Sequence, residues 1–340
     1  MGRPARILVV APSWIGDMLM AQPLLTRLAA RGAEIDVLAP DWCAPLLGRM
    51  AEVRRVIASP FRHGDFAFAA RRALGRDLAG AGYDEAVVLP NSWKSALVPF
   101  FARIPKRTGF TGEARIGLLN NRHRLDKAAR PQLAQRYAQL ADAPGALPPQ
   151  SLPRPRLLSS PAQQQASKAA LGLDPAAEPT IFCPGAEYGP AKRWPARHFA
   201  ELARRLAADG GPIWLLGTAK DTTVGDEIAA LSGGAARNLC GRTTLEQAID
   251  LIACARQVVS NDSGLMHVTA ALDRPLVALY GSSSPTYTPP LSPRARILSL
   301  DLPCSPCFQR ECPLGHLKCL EDLAPEQVLI TLGDLAHAQP

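Results

Sequence analysis

Three short blocks of this chain carry residue types that can do chemistry at the ends of apolar runs. The first, Pro12-Ser13-Trp14-Ile15-Gly16-Asp17, follows the run ILVVA at 7–11. Gly16 permits a tight turn. Asp17 then opens a helical pattern, where the helix dipole favours its ionised form. A carboxylate at the C-terminal end of a strand can take a proton from a substrate hydroxyl. The plainer alternative is a helix cap, since Asp is favoured there for structural reasons. The block is not a G-x-G-x-x-G fingerprint, so it does not indicate a dinucleotide.

The second block is Cys183-Pro184-Gly185-Ala186-Glu187-Tyr188-Gly189-Pro190-Ala191-Lys192-Arg193-Trp194-Pro195. A Gly/Pro-rich loop ending in two cations before a helix suits an anionic group. Lys192 is a point charge able to neutralise a departing phosphate. The alternative is a solvated loop with surface cations. The third block, Ser260-Asn261-Asp262-Ser263-Gly264-Leu265-Met266-His267, joins a strand pattern to a helix pattern. Backbone N–H groups of Ser263, Gly264 and Leu265 at a helix N-terminus offer an anion site suited to a diphosphate. Asp262 can cap the helix or bond a sugar hydroxyl. His267, one turn in, either faces the ligand or is structural.

A fourth region, Asn91-Ser92-Trp93-Lys94-Ser95 with 103–110 and Arg115, is basic and can dock an acidic partner; otherwise it is a solvated face. Cys304, Cys307, Cys312 and Cys319 crowd one segment in a C-x2-C-x4-C-x6-C spacing. In a reducing compartment such a cluster reads as metal-binding rather than disulfide-bonded. The spacing is not that of two C-x2-C knuckles. A structural zinc is one reading, free thiols or a redox-labile loop the other. Cys43, Cys183, Cys240 and Cys254 lie in apolar segments and read as small buried hydrophobes. No Asp-x-Asp pair occurs in the sequence. Close carboxylates are what a cation-bridged nucleotide diphosphate usually requires. Cations and helix N-termini must do that work instead.

These blocks need strands that end beside one another. Strand patterns at 7–11, 34–39, 54–58 and 84–90 alternate with helical patterns at 17–31, 42–50, 65–81 and after Ser92. After a Pro-, Ser- and Gln-rich stretch with one helical pattern at 161–171, the alternation restarts. Strands are expected at 180–185, 212–217, 256–262 and 275–281, and helices at 195–208, 221–231 and 263–272. The class is α/β: two doubly wound parallel sheets, with ligands at the carboxyl ends of the strands in a cleft between the halves. The expected boundaries are an N-terminal domain 1–155, a linker 156–178, and a C-terminal domain 179–340 with a Cys-rich loop at 303–320.

Of 340 residues, 47% are apolar and 20% charged, which excludes disorder, collagen and coiled coil. The net charge of +8 is spread along the chain. That argues against nucleic acid and fits an acidic substrate or an anionic membrane surface. No apolar run approaches the roughly 18–20 residues of a membrane span. The N-terminal run reads as a strand rather than a signal peptide, so a cytoplasmic protein is expected.

Taken together, PSWIGDMLMAQPLL, LPNSWKSALVPFFARIPKRTGF with GEARIGLLN, FCPGAEYGPAKRWP and SNDSGLMHVTAALDRPLVALYGSSSPTYTPPLS resemble a known family. It is that of the ADP-heptose–lipopolysaccharide heptosyltransferases, glycosyltransferase family 9, most of all those placing the second inner-core heptose. The likeness runs from about residue 6 to 292, with the blocks in order. It implies a GT-B fold of two Rossmann-like domains facing a cleft. It also implies an inverting transfer of L-glycero-D-manno-heptose from ADP-heptose to the first heptose of the Kdo–lipid A core, with no metal or other cofactor in the chemistry. By the family pattern Asp17 is the base and Lys192 a diphosphate contact. Asp262, Ser263, Gly264 and His267 surround the donor phosphates. Gly16, Glu187, Tyr188, Thr218 and Asp221 fall on the donor side, with Asp221 matched to the ribose. Lys94, Ser95, Arg107 and Arg115 fall on the acceptor side. The lipid-linked acceptor implies peripheral contact with the inner face of the inner membrane. Two rivals stand beside this reading: a heptosyltransferase of another position (I or III), and a non-catalytic nucleotide-sugar-binding protein. The Asp17, Lys192 and Asp262 set argues against the second rival.

Overall fold

The computed structural model describes residues 3–61, 64–208 and 210–337. The chain packs as two units, which divide between Pro155 and Arg156.

The first unit is built on a parallel sheet. Its strands are β1 (Arg6–Val10), β2 (Glu34–Pro40), β3 (Val53–Ser59), β4 (Glu85–Val88), β5 (Lys106–Phe110) and β6 (Asn121–His123), in the order β3-β2-β1-β4-β5-β6. Helices cover both faces, so the central strands read as unbroken apolar runs rather than alternating ones. Leu8, Val9, Ala86, Val87 and Val88 are buried. β1 pairs with β2 on one side and β4 on the other. The strand order reverses there, and that reversal opens a crevice at the carboxyl ends. The helix Ile15–Ala29 starts at this point, with Trp14 as its N-cap and Asp17 in its first turn.

The second unit repeats the plan with β7 (Thr180–Cys183), β8 (Ile213–Leu215), β9 (Ala236–Asn238), β10 (Gln257–Asn261), β11 (Leu276–Leu279) and β12 (Ala295–Leu298). The order is β12-β11-β10-β7-β8-β9, all parallel. Its reversal lies between β7 and β10. The loops after those two strands are the second and third sequence blocks. Phe182, Trp194, Phe199, Val259 and Val277 share one buried core beneath them. Residues 156–178 pack within this unit. Ser160 caps the helix Pro161–Ala170 in a reciprocal bond with Gln163, and Ser159 and Ser167 both donate to Asp250.

The eight expected strands are present. Four more, β5, β6, β9 and β12, carry no sustained apolar pattern and were not expected. Those at the sheet edges need little apolar character to pair. β5 is the consequential one, because KRTGF reads as a basic loop. The structure makes it a strand beside β4, with Thr108, Gly109 and Phe110 buried. The helices Leu245–Ala253 and Pro325–His337 were also unread. The helix expected at 42–50 is only a 3-10 turn at Asp41–Cys43 followed by one turn at Ala44–Leu47. Among the described residues no helix is long and apolar enough to cross a membrane.

Candidate active site

Lys192 and Asp262 come from the loops at the reversal in the second sheet. Lys192 Nζ lies 2.5 Å from Asp262 Oδ2. Asp262 is buried, and the same oxygen accepts a bond from Ser283 Oγ at 2.5 Å. A cation and a carboxylate taken out of water must satisfy each other. Lys192 is also 5.2 Å from the centroid of the Tyr188 ring, a cation–π contact. Tyr188 is half-exposed and donates its hydroxyl proton to Phe308 O at 2.7 Å. Glu187 is exposed and pairs with Lys220.

One side chain sets the shape of the Lys192 loop. Asn261, at the end of β10, is fully buried. Its Nδ2 donates to Pro184 O at 2.7 Å, and its Oδ1 accepts from Trp194 N at 3.1 Å. Both ends of the loop thus hang on one amide. Trp194 is 1% exposed and anchors the far end, donating Nε1–H to Leu323 O at 2.8 Å. Two glycines let the loop pass close to its neighbours. A Cβ on Gly185 would collide with the Asp221 carboxylate, and one on Gly189 with Arg310 O.

Ser263 is the N-cap of the helix Gly264–Ala271, and its side chain makes no capping bond. Asp262 is thus not the cap; its carboxylate turns to Lys192 and Ser283. The first-turn amides of this helix lie beside that pair in sequence, where an anion is favoured. His267 is buried in the same helix. Burial pushes its pKa down to about 4, against the opposing pull of Asp262. It is therefore a neutral imidazole near pH 7, and its Nδ1 has no hydrogen-bond partner.

Asp221 is buried, and its carboxylate accepts from Thr218 N at 2.9 Å and Thr218 Oγ1 at 2.8 Å. Arg193 lies 3.6 Å away. Asp221 and Thr218 thus form a capping box at the end of β8.

In the first unit Gly16 and Asp17 occupy the first turn of Ile15–Ala29. Beside them Ser13, Trp14, Pro40, Asp41, Trp42, Ser59, Pro60 and Phe61 line an open pocket of about 360 Å³ at the carboxyl ends of β1, β2 and β3. The four residues expected to meet an acceptor divide. Lys94 is half-buried. Ser95 is buried and donates to Pro90 O and Ser92 O. Arg107 is a β5 residue whose guanidinium donates to Leu118 O and Ile104 O. Arg115 is 2% exposed and donates to Pro90 O, Asn91 Oδ1 and Phe110 O. Burial lowers the pKa of both arginines. They brace the unit's own loops instead of standing free in solvent. A basic residue in a sequence gives no sign of the carbonyls that will claim it.

Sequence reasoning passed over Asn261 as a clip, Ser283 on Asp262, and Arg193 on Asp221. Their roles depend on partners far away in the chain. The nearest signal was position: Asn261 precedes Asp262 at a strand end.

Cys304, Cys307 and Cys312 are free thiols on one loop of the second unit, and Cys319, also free, sits in the one-turn helix Lys318–Glu321 that follows. Among the described residues no three His, Cys, Asp or Glu side chains are placed to hold a metal ion.

Residues 71–318 match the profile of glycosyltransferase family 9 (heptosyltransferase). The chain is 49% identical to lipopolysaccharide heptosyltransferase 2 of Salmonella typhimurium strain LT2, over 97% of this chain and 98% of that one. It is 45% identical to lipooligosaccharide heptosyltransferase 2 of Haemophilus influenzae, over 97% and 99%. The solved structure of E. coli ADP-heptose lps heptosyltransferase II superposes with a TM-score of 0.87 at 47% identity, covering 97% of this chain and 98% of that one. The two parallel sheets are therefore those of a GT-B enzyme. With a family match over most of its length and relatives alike from end to end, this chain belongs to glycosyltransferase family 9, the heptosyltransferases.

Proposed function

We propose that this chain transfers L-glycero-D-manno-heptose from ADP-heptose to the first heptose of the Kdo–lipid A core of lipopolysaccharide, with inversion at the anomeric carbon. The observation that carries the reading is the seat of Lys192, paired with Asp262 next to the helix N-terminus at the reversal of the second sheet. That is where a parallel sheet receives a diphosphate. The end-to-end likeness to two heptosyltransferase 2 enzymes supports the donor and the acceptor position.

In the mechanism Asp17 takes the proton from an acceptor hydroxyl as its oxygen attacks the anomeric carbon. The transition state is oxocarbenium-like. Lys192 leaves Asp262 for the departing diphosphate, and the amides at Ser263 and Gly264 share its charge. His267 stays neutral and adds no competing cation. The pocket beside Trp14 and Trp42 offers aromatic faces to the acceptor, and Lys94 a cation. No cofactor enters the reaction, and the clustered cysteines serve structure. The enzyme works in the cytoplasm, at the inner face of the inner membrane. Such contact is peripheral and weakens with salt.

Mass spectrometry of one reaction tests this. The protein is mixed with ADP-heptose and a chelator, and with Kdo–lipid A bearing either no heptose or one. Gain of one heptose only on the singly heptosylated acceptor is expected. Gain on the bare acceptor would make it a first-position transferase. Binding of ADP-heptose without gain on either would favour a non-catalytic binder.

A further inference from the structure

We infer that Cys304, Cys307, Cys312 and Cys319 hold one thiophilic metal ion, zinc or iron, which locks the loop beneath Lys192. The four cysteines and His316 line one cavity of about 20 Å³, with Ala191 and Ser282 on its wall. That is room for an atom-sized guest and little else. Four sulfurs around a single ion is a tetrahedral set that zinc and iron favour. The x2 spacing of Cys304 and Cys307 lets one turn supply two of them.

The cavity wall also fixes one of the sulfurs. Leu317 N donates to Cys312 Sγ at 3.4 Å. Such an N–H···S bond holds a ligand from outside the coordination sphere. His316 Nδ1 is taken by Lys318 N at 3.0 Å, which leaves the four sulfurs as the ligand set. As they stand the four thiols are not placed to hold an ion. Uncharged thiols keep van der Waals separation, and a bound ion would contract the ring to metal–sulfur distances of about 2.3 Å. Each thiol gives its proton to solvent as the ion binds.

The loop carrying these cysteines is the floor of the donor site. Phe308 N donates to Ser282 O at 2.7 Å, and Phe308 O accepts from Tyr188. Arg310 O accepts from Ala191 N at 3.0 Å, and its guanidinium lies 5.5 Å from the Tyr188 ring centroid. Ser305 Oγ donates to Gly281 O at 2.5 Å. Every one of these bonds reaches a residue within a few positions of Lys192 or Ser283. An ion that pins residues 304–319 therefore pins the loop that presents Lys192.

Metal analysis of the full-length protein, purified without chelator, tests the site itself. About one zinc or iron per chain is expected. Cobalt(II) offered to the stripped protein should give sulfur-to-metal charge-transfer bands and the visible bands of a tetrahedral ion. Cys304→Ser and Cys312→Ser should lose the ion, while Cys254→Ser keeps it. Where a serine variant fails to fold, the cobalt spectrum of the wild type decides. No metal as isolated and no thiolate bands with cobalt would overturn the proposal. The coupling to Lys192 rests on the functional reading above and has its own readout. Stripped protein with unchanged circular dichroism should bind ADP more weakly in calorimetry. Equal affinity would overturn the coupling, whatever the metal content.

Discussion

Lys192 Nζ and Asp262 Oδ2, seventy positions apart in the chain, meet at 2.5 Å. The two charges offset each other in a largely buried setting. In the proposed function a diphosphate supplies a second partner for the lysine, so binding exchanges one ion pair for another. Ser283 is a further partner of the same Asp262 oxygen.

Replacing Lys192 by Ala removes the cation and leaves Asp262 buried with Ser283 alone. The expected result is a fall in kcat of about 10²-fold or more, the scale of losing one stabilising group on a developing anion. Turnover at saturating ADP-heptose reads this directly. A change in donor KM alone would show uniform binding instead of leaving-group stabilisation.

Asp17→Asn keeps the size of the side chain and removes the base. A loss of about 10²- to 10⁴-fold in turnover is expected, with ADP affinity and melting temperature nearly unchanged. A helix-start carboxylate is worth roughly 0.3–1 kcal/mol. If the variant loses only that much stability and keeps its turnover, Asp17 is a first-turn charge and no more.

Asn261→Ala strips the partners of Pro184 O and Trp194 N in a buried setting. Each unsatisfied group costs about 1–3 kcal/mol. The urea midpoint should fall accordingly, and ADP binding should weaken with it because Lys192 loses its frame. Asn261→Asp should also destabilise, since a carboxylate cannot donate to Pro184 O.

His267 makes stability depend on pH with a definite sign. Its folded pKa of about 4 lies below the ordinary histidine value of about 6.5. The unfolded chain therefore binds a proton that the folded chain refuses between those values. Stability is fully present above about pH 6.5 and falls as pH drops toward 4, by an amount on the order of 3 kcal/mol. Urea titrations of the wild type and His267→Gln across that window should diverge toward acid. Parallel curves would show that the imidazole is protonated in the folded state.

Much of this was legible in the sequence, for a physical reason. Strands buried on both faces must be apolar along their whole length, so ILVVA, TIFC and VALY stand out from the helices between them. The site blocks were legible because loops after parallel strands gather at one edge. What escaped depends on pairing through space. Asn261 finds Trp194 67 positions away and Pro184 77 positions away. Nothing local marks it as more than a strand-end amide. Arg107 and Arg115 read as surface cations, because sequence shows their charge and not the carbonyls of Ile104, Leu118, Pro90 and Phe110 that claim it. KRTGF was missed as a strand because Phe110 is its one buried apolar side chain, and the rest of its burial comes from Thr108 and from Gly109 fitting under Leu119 and Val88 O.

The Asn261 clip also limits how the donor can arrive. A loop tied at both ends to one side chain behaves as a closed hoop. Opening it at one end strands a buried polar group, at a cost of about 1–3 kcal/mol. Rotation of the Lys192 and Tyr188 side chains inside the hoop carries no such cost. Such motions are fast and small compared with the opening of a lid. On the proposed function, admission of the nucleotide sugar is then a change of partners within a standing frame.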